Sequence, residues 1–253
     1  MQVGKYPLVA KSLLAADVYS FTVSCPEMAK ASEPGQFVNI GVEGFSLRRP
    51  ISICEIDQQN GTLRFVFRVV GEGTKKLAEL SVGDMVDLLG PLGHGFTMLP
   101  PEKKVVVVGG GIGVPPMLQV AAQYKNAIAV LGFKTASECI LVEDFEKIGY
   151  WVDLCTDDGS RGRKGFVTAG LEEILRQGGA DMIYSCGPRP MLKGVAELAE
   201  RYGVPCEVSL EERMACGIGA CLVCACRLVK DSKEYLGHVC KDGPVFDSKK
   251  VVF

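Results

Sequence analysis

Between Cys216 and Cys226 the chain sets four thiols in eleven residues, "CGIGACLVCAC", and a fifth follows at Cys240. Cys216, Cys221 and Cys224 form CxxxxCxxC, and with Cys240 beyond a longer gap they follow the ligand order of plant-type [2Fe-2S] sites. Thiolates surround two irons only where the backbone wraps closely. Gly217 and Gly219 let the first loop curl and leave N–H groups free to bond cluster sulfides. The competing reading is a structural zinc ion held by four thiolates, whose usual signature is two CxxC pairs. Here Cys221 and Cys224 make the single CxxC, and the four-residue first gap favours iron–sulfur. Cys226 has no place in that order and is expected as a packed thiol, although spacing alone leaves a ligand swap open.

Two further stretches could hold a dinucleotide. "VVVVGGGIGVPPM" runs from an apolar strand through a glycine turn to Pro115 and Pro116, which suit the first turn of a helix. Free N–H groups and the helix dipole at such a terminus attract a pyrophosphate, which points to Gly110, Gly111 and Gly113. "CGPRPML", beginning at Cys186 and Gly187, follows a later strand, so both loops can face one crevice at the carboxyl ends of a parallel sheet. Either loop read alone is also what tight packing produces. Earlier in the chain, "RRPISI" and "RVVGEGTKKL" offer Arg49 as a bidentate phosphate clamp, Ser52 as a hydrogen-bonding partner for a ring system, and the amides of Gly73 and Thr74 before a helix expected from about Lys75. An exposed basic turn and a hairpin loop would look the same.

His94 and His238 are the only histidines. A Rieske centre needs two at the cluster, so His238 is expected beside the site or on the surface. No base-and-carboxylate arrangement suited to proton abstraction is found, and no catalytic residue is assigned.

The elements that must position these groups fall into three segments. Residues 1–100 alternate short apolar runs with turn signals; "GTLRFVFRVVG" puts Leu63, Phe65, Phe67 and Val69 on one strand face, which predicts an antiparallel barrel. Residues 101–209 repeat apolar strand, glycine turn and amphipathic helix, with helices predicted at 115–124 and 190–202; this rhythm predicts a doubly wound parallel-sheet nucleotide domain. Residues 210–253 lose periodicity and form a small C-terminal cysteine segment, too short to be held by apolar burial alone and in need of a metal centre.

Composition agrees with a folded, water-exposed protein: 253 residues, 47% hydrophobic, 23% charged, net charge −2. The dispersed charge gives no reason to expect nucleic acid or an anionic membrane as partner. Apolar runs such as Val105–Val108 stop far short of the roughly 20 residues a membrane span requires, and no secretory leader is recognisable. A cytoplasmic address follows by default, and it keeps the eleven cysteines from being disulfides. The six solitary ones are expected mainly as small buried hydrophobes.

Taken together, "RPIS" at 49–52, "GGGIGVPPM" at 109–117 and "CGPRPML" at 186–192 resemble the ferredoxin-reductase superfamily, with its flavin motif on a barrel and its nicotinamide site on a parallel-sheet domain. Within it, "EERMACGIGACLVCAC" and "VCKDGPVF" resemble the electron transfer subunits of NAD-dependent dihydroorotate dehydrogenases. The resemblance implies a flavin-binding barrel carrying FAD on Arg49, Pro50, Ile51, Ser52, Val66, Phe67, Arg68, Gly73 and Thr74. It also implies an NAD-binding α/β domain, and a C-terminal iron–sulfur domain ligated by Cys216, Cys221, Cys224 and Cys240. It further implies a partner: an FMN-containing catalytic subunit that oxidises dihydroorotate in pyrimidine (UMP) synthesis, in a heterotetramer of two plus two. NAD takes a hydride pair while a cluster passes single electrons, and a flavin converts between them. On this reading electrons pass from the partner through the cluster and FAD, and leave as hydride to NAD at the face guarded by Cys186 and Gly187. Cys226, and His94 where an asparagine is expected, depart from the family pattern. NAD is favoured over NADP because Lys134 stands without an arginine companion, and Glu143 and Asp144 would repel a 2′-phosphate if they lie near. The alternative inside the superfamily is the small subunit of an NADPH-dependent ferredoxin oxidoreductase or sulfide dehydrogenase, whose relatives tend toward aspartate at the first ligand position.

Overall fold

A computed structural model describes residues 1–149 and 151–253. Six strands, β1 (Gln2–Ala15), β2 (Val18–Ser24), β3 (Phe37–Gly41), β4 (Arg49–Asp57), β5 (Thr62–Arg68) and β6 (Met85–Leu92), close into an antiparallel barrel in the order β1-β2-β5-β4-β3-β6. The period-two pattern of β5 puts Leu63, Phe65 and Phe67 inside, each no more than 1% exposed, with Val69 partly buried against the same core. Phe67 meets Phe21 edge-to-face, ring centroids 5.0 Å apart. Helix α1 (Pro26–Ala31) plugs the barrel with Met28 and Ala29. Helix α2 spans Glu72–Ala78, three residues earlier than the position expected from Lys75. Thr74 causes the shift: its Oγ1 accepts from the Val70 and Gly71 amides at 2.9 and 3.2 Å, which closes the first turn around Gly71.

The second layer system is a sheet of β7 (Lys104–Gly110), β8 (Asn126–Phe133), β9 (Trp151–Thr156), β10 (Arg163–Lys164), β11 (Met182–Cys186) and β12 (Cys206–Ser209), all parallel, in the order β10-β9-β8-β7-β11-β12. Val105–Val108 are fully buried because the central strand is covered on both faces. Val105 and Val107 pack with α3 (Val114–Ala121) and α4 (Val142–Lys147), while Val106 and Val108 pack with α5 (Val167–Arg176) and α6 (Arg189–Tyr202). α3 begins one residue before the expected start and ends three residues before the expected end; α6 matches within one residue and stops at Gly203 in the left-handed conformation. Strand order reverses between β7 and β11, which places the ligand crevice of such a sheet outside the ends of those two strands.

The C-terminal segment is a hairpin, β13 (Ala225–Lys230) and β14 (Lys233–His238), then the short helix α7 (Val239–Asp242) and β15 (Val245–Asp247). β15 adds to the edge of the large sheet, antiparallel to β12. The Leu210 amide donates to the Pro244 carbonyl at 2.9 Å, and the His94 amide of the barrel to the Gly243 carbonyl at 2.7 Å. Cys224, Cys226, Leu228, Val239, Cys240, Phe246 and Val251 share one apolar core with Phe37 and Leu92 of the barrel and with α6. The tail thus draws much of its burial from its neighbours.

Candidate functional site

One cleft of about 1860 Å³ runs between barrel, sheet and tail. Arg49, Pro50, Ile51, Ser52, Val66, Phe67, Arg68 and Thr74 line its barrel wall; Gly110, Gly111, Gly113, Cys186 and Gly187 line the opposite one. Gly73 lies just behind that lining, and a Cβ there would coincide with the Arg49 guanidinium. Glycine at 73 is what lets Arg49 lie across the start of α2.

The two adjacent arginines divide their roles. Arg48 is held: its Nη2 donates to both Asp87 carboxylate oxygens at 3.0 and 2.9 Å, and its Nη1 to the Asn39 carbonyl at 3.2 Å. Among the described residues Arg49 bonds the Leu47 carbonyl alone and stacks over Phe45, its guanidinium carbon 4.6 Å from the ring centroid. Its fork is the one available to an anion. Arg68 donates through Nη2 to Glu138 at 2.9 Å, and its Nε is buried with no partner among the described residues. A phosphate-bearing cofactor supplies the acceptor such a donor lacks, so these residues fit a flavin dinucleotide.

The glycines across the cleft serve two ends. A Cβ on Gly113 would run into the Cys186 carbonyl and the Gly187 nitrogen, so that residue is small because the two loops touch. Gly110 is small for a similar reason, facing Met191. Gly111 has φ +55° and open space around it, so there the backbone is exposed to a ligand. Burial pushes the Cys186 thiol up to about 12, against an opposing hydrogen bond from Ser209, so it stays protonated and neutral beside the cleft.

Lys134 also lines the cleft, but the acids expected near it are engaged elsewhere. Asp144 accepts from Arg64 at 3.1 Å and Glu143 from Arg161 at 3.2 Å, and neither reaches the cleft. Glu138, tied to Arg68, and Asp157, whose amide donates to the Phe133 carbonyl, do line it, as do Glu211 and Glu212, the latter paired with Arg189. Phe166, 70% exposed, and residues 211–215 also line the cleft. That last stretch carried a signal in position only: a segment leaving β12 for the first cysteine has to cross the strand ends.

Immediately beyond it the four cysteines come together as two pairs. The Cys216 amide faces Cys221 Sγ at 3.4 Å and the Cys240 amide faces Cys224 Sγ at 3.4 Å, while Gly219 N–H reaches Cys240 Sγ at 3.1 Å and ties the pairs together. Among the described residues no three His, Cys, Asp or Glu side chains are grouped as a single-ion site. Two pairs of thiols are the donor set of a diiron centre with two cysteines per iron. Ile218, Ala220 and Cys221 aim their amides at Cys216 Sγ from 3.3–3.4 Å. Burial acts to raise the Cys216 thiol, but these amides and the Cys221 thiol outweigh it and bring it down to about 6, toward the thiolate that binds iron. Cys240, desolvated and in contact with Cys224, is pushed up to about 12. Cys226 is 3% exposed within the apolar core, and burial holds it near 11. His238 sits at the end of β14, its Nδ1 3.7 Å from Asp242, and is not among the grouped thiols.

Comparison with known proteins decides the family. Residues 211–252 match the iron-sulfur cluster binding domain of dihydroorotate dehydrogenase B, and residues 5–96 an oxidoreductase FAD-binding domain. The chain is 42% identical over 252 residues, 98% of each chain, to the dihydroorotate dehydrogenase B (NAD(+)) electron transfer subunit of Caldanaerobacter subterraneus subsp. tengcongensis. It belongs to that family of electron transfer subunits. The corresponding subunit of Geobacillus thermodenitrificans is 42% identical over 257 residues, 97% of this chain and 96% of the relative. Among solved structures, an NADH-dependent reduced ferredoxin-NADP oxidoreductase superposes with a TM-score of 0.87 and 32% identity, covering 98% of this chain and 90% of the other. Phthalate dioxygenase reductase shares the fold with a TM-score of 0.64 over 93% of this chain and 76% of its own, at 18% identity. The FAD-binding match falls on the barrel and the iron-sulfur match on the cysteine-rich tail.

Proposed function

We propose that this chain is the electron transfer subunit of an NAD-dependent dihydroorotate dehydrogenase, handing electrons from a catalytic partner to NAD in pyrimidine synthesis. The observation that carries the reading is continuity: the cleft lined by "RPIS" and by both glycine loops leads through residues 211–215 directly to Cys216. FAD, when bound, exchanges a hydride with nicotinamide and single electrons with a [2Fe-2S] cluster. Arg49 and Arg68 hold its phosphates, and the wall of Pro50, Ile51, Ser52, Val66 and Phe67 holds its ring, with Gly73 and Thr74 shaping the turn beside it. Gly110, Gly111 and Gly113 accept the NAD pyrophosphate, and Cys186 and Gly187 limit the approach of nicotinamide. Asp157 beside Lys134 opposes a 2′-phosphate and favours NAD. Cys216 and Cys221 hold one iron, Cys224 and Cys240 the other. No group on this chain needs to move a proton from dihydroorotate; that step belongs to the partner.

The division that goes with this reading is FAD barrel at 1–100, NAD domain at 101–209 and cluster domain at 210–253. The partner carries FMN and assembles with this chain two plus two. It docks on the rim of the cluster loop, where Ile218, Leu222 and Val223 are 48–59% exposed beside the thiols. Among the described residues no helix is long and apolar enough to cross a membrane; a cytoplasmic address is proposed from the free thiols. The test is to mix the purified chain with an FMN-containing dihydroorotate-oxidising subunit. NADH formation that depends on both proteins is expected. Its absence, alongside rapid ferredoxin turnover with NADPH, would replace this reading with the ferredoxin oxidoreductase one.

A further inference from the structure

"FVNIG", strand β3, sets one polar residue among apolar neighbours, and that residue is fully buried: Asn39 is 0% exposed. A carboxamide in such a place is costly unless it is hydrogen-bonded. Asn39 stands opposite Pro50 in the β3–β4 register, so its backbone is one strand away from the flavin motif. Its side chain shares a strand face with Phe37, which packs into the same core as Cys224 and Cys240. Asn39 Nδ2 lies 3.5 Å from the Cys216 carbonyl, at the first cysteine of the cluster loop. The next residue, Gly217, has φ +73°, and a Cβ on it would stand 2.7 Å from Asn39 Nδ2. Glycine at 217 therefore serves the turn and also makes room for the carboxamide. Asn39 Oδ1 has no partner among the described residues. A leucine would fill this volume without leaving a buried acceptor unbonded, so packing alone does not account for asparagine.

We propose that Asn39 is a positioning residue that fixes the Cys216–Gly217 peptide from the flavin strand, and with it the ring of amides aimed at Cys216 Sγ. Those amides, from Ile218, Ala220 and Cys221, stabilise added negative charge on the cluster sulfurs, and hydrogen bonds to sulfur help set the reduction potential. Loss of the post loosens the loop and makes the cluster harder to reduce. The inference rests on the proposed cluster ligation, and the wild-type protein tests that separately: dithionite-reduced holoprotein must give a diiron paramagnetic resonance signal before any variant is read.

The experiment compares Asn39→Leu and Asn39→Gln in the full-length holoprotein, each checked for FAD content. Asn39→Leu is expected to change the g-values of the reduced cluster and to lower its reduction equilibrium about tenfold, which for one electron is about 59 mV. Asn39→Gln, which keeps an amide donor, is expected to recover much of the wild-type spectrum. Should Asn39→Leu lose both cofactors, Asn39→Ser, which removes the amide without adding bulk, is read in the same way. Wild-type g-values and potential in Asn39→Leu, with iron and FAD at full content, would overturn the proposal and leave Asn39 a space-filling residue.

Discussion

Gly113→Ala isolates one contact on which the nucleotide side of the cleft depends. Gly113 has φ −82° and ψ −7°, a conformation alanine adopts without strain, so the substitution acts through space alone. Its new methyl group would stand 2.5 Å from the Cys186 carbonyl carbon and 2.6 Å from the Gly187 nitrogen. Carbon atoms rest at about 3.5–4.0 Å from their neighbours, so the first turn of α3 and the Cys186–Gly187 loop must part by roughly 1 Å. Both are backbone, and no rotamer change relieves the clash. Overpacking of this kind costs about 1–3 kcal/mol, which for a chain of this size lowers the melting midpoint by roughly 2 to 12 °C. Displacement of binding groups by about 1 Å can cost on the order of 100-fold in rate, so kcat/KM for NADH with an artificial acceptor should fall roughly 10- to 100-fold while FAD and iron content stay constant. Gly111→Ala is the control for stability only: its methyl group meets no protein atom, so its cost to the fold comes from φ +55° alone, while it too faces the NADH side of the cleft. The assay is thermal denaturation together with NADH titration and diaphorase kinetics. If Gly113→Ala melts and binds NADH like the wild type, the two loops are not in contact as described and the account of this glycine is wrong.

Arg49→Lys should weaken FAD binding about 10- to 100-fold in a titration of apoprotein, because an ammonium can neither fork a phosphate nor stack on Phe45 in the same way; Arg48→Lys should leave FAD affinity near wild type and instead lower stability by breaking the two-pronged bond to Asp87. Cys226→Ala should retain full iron and an unchanged diiron resonance signal, whereas Cys224→Ala should lose iron; the reverse result would exchange the two roles. Stability should fall in alkali. Burial holds Cys25, Cys155 and Cys226 at about 11 and Cys186 and Cys206 at about 12, against 9.0 for a free thiol. A pKa raised in the folded state contributes stability that is complete below pH 9 and disappears as pH climbs toward 11–12. The melting midpoint measured at pH 8 and pH 10.5 should therefore drop, and a flat profile would contradict the burial of these thiols.

Local pattern carried a large part of this protein. The alternation in β5, the valine run of β7, the proline pair opening α3 and the CxxxxCxxC spacing each depend on residues within one element, where side-chain period and turn chemistry act over a few positions. The start of α2 was displaced because Thr74, read as a phosphate contact, also closes the turn before it. Which acids approach Lys134 was invisible for a different reason: Glu143 and Asp144 are close in sequence, but α4 turns them toward Arg161 and Arg64.

The sequence by itself determined the cofactor-binding motifs, the strand and helix rhythm, and the set of thiols able to ligate iron, since each is a matter of residue type at short spacing. Only the tertiary structure decided that Asp87 holds the neighbouring Arg48, that Gly113 is small because another loop touches it, and that the cysteine tail lends a strand to the large sheet. It alone brought Asn39 against Gly217, 178 positions along the chain. Contacts of that kind depend on how packed elements meet, and short-range spacing holds no record of distance between residues so far apart in the chain.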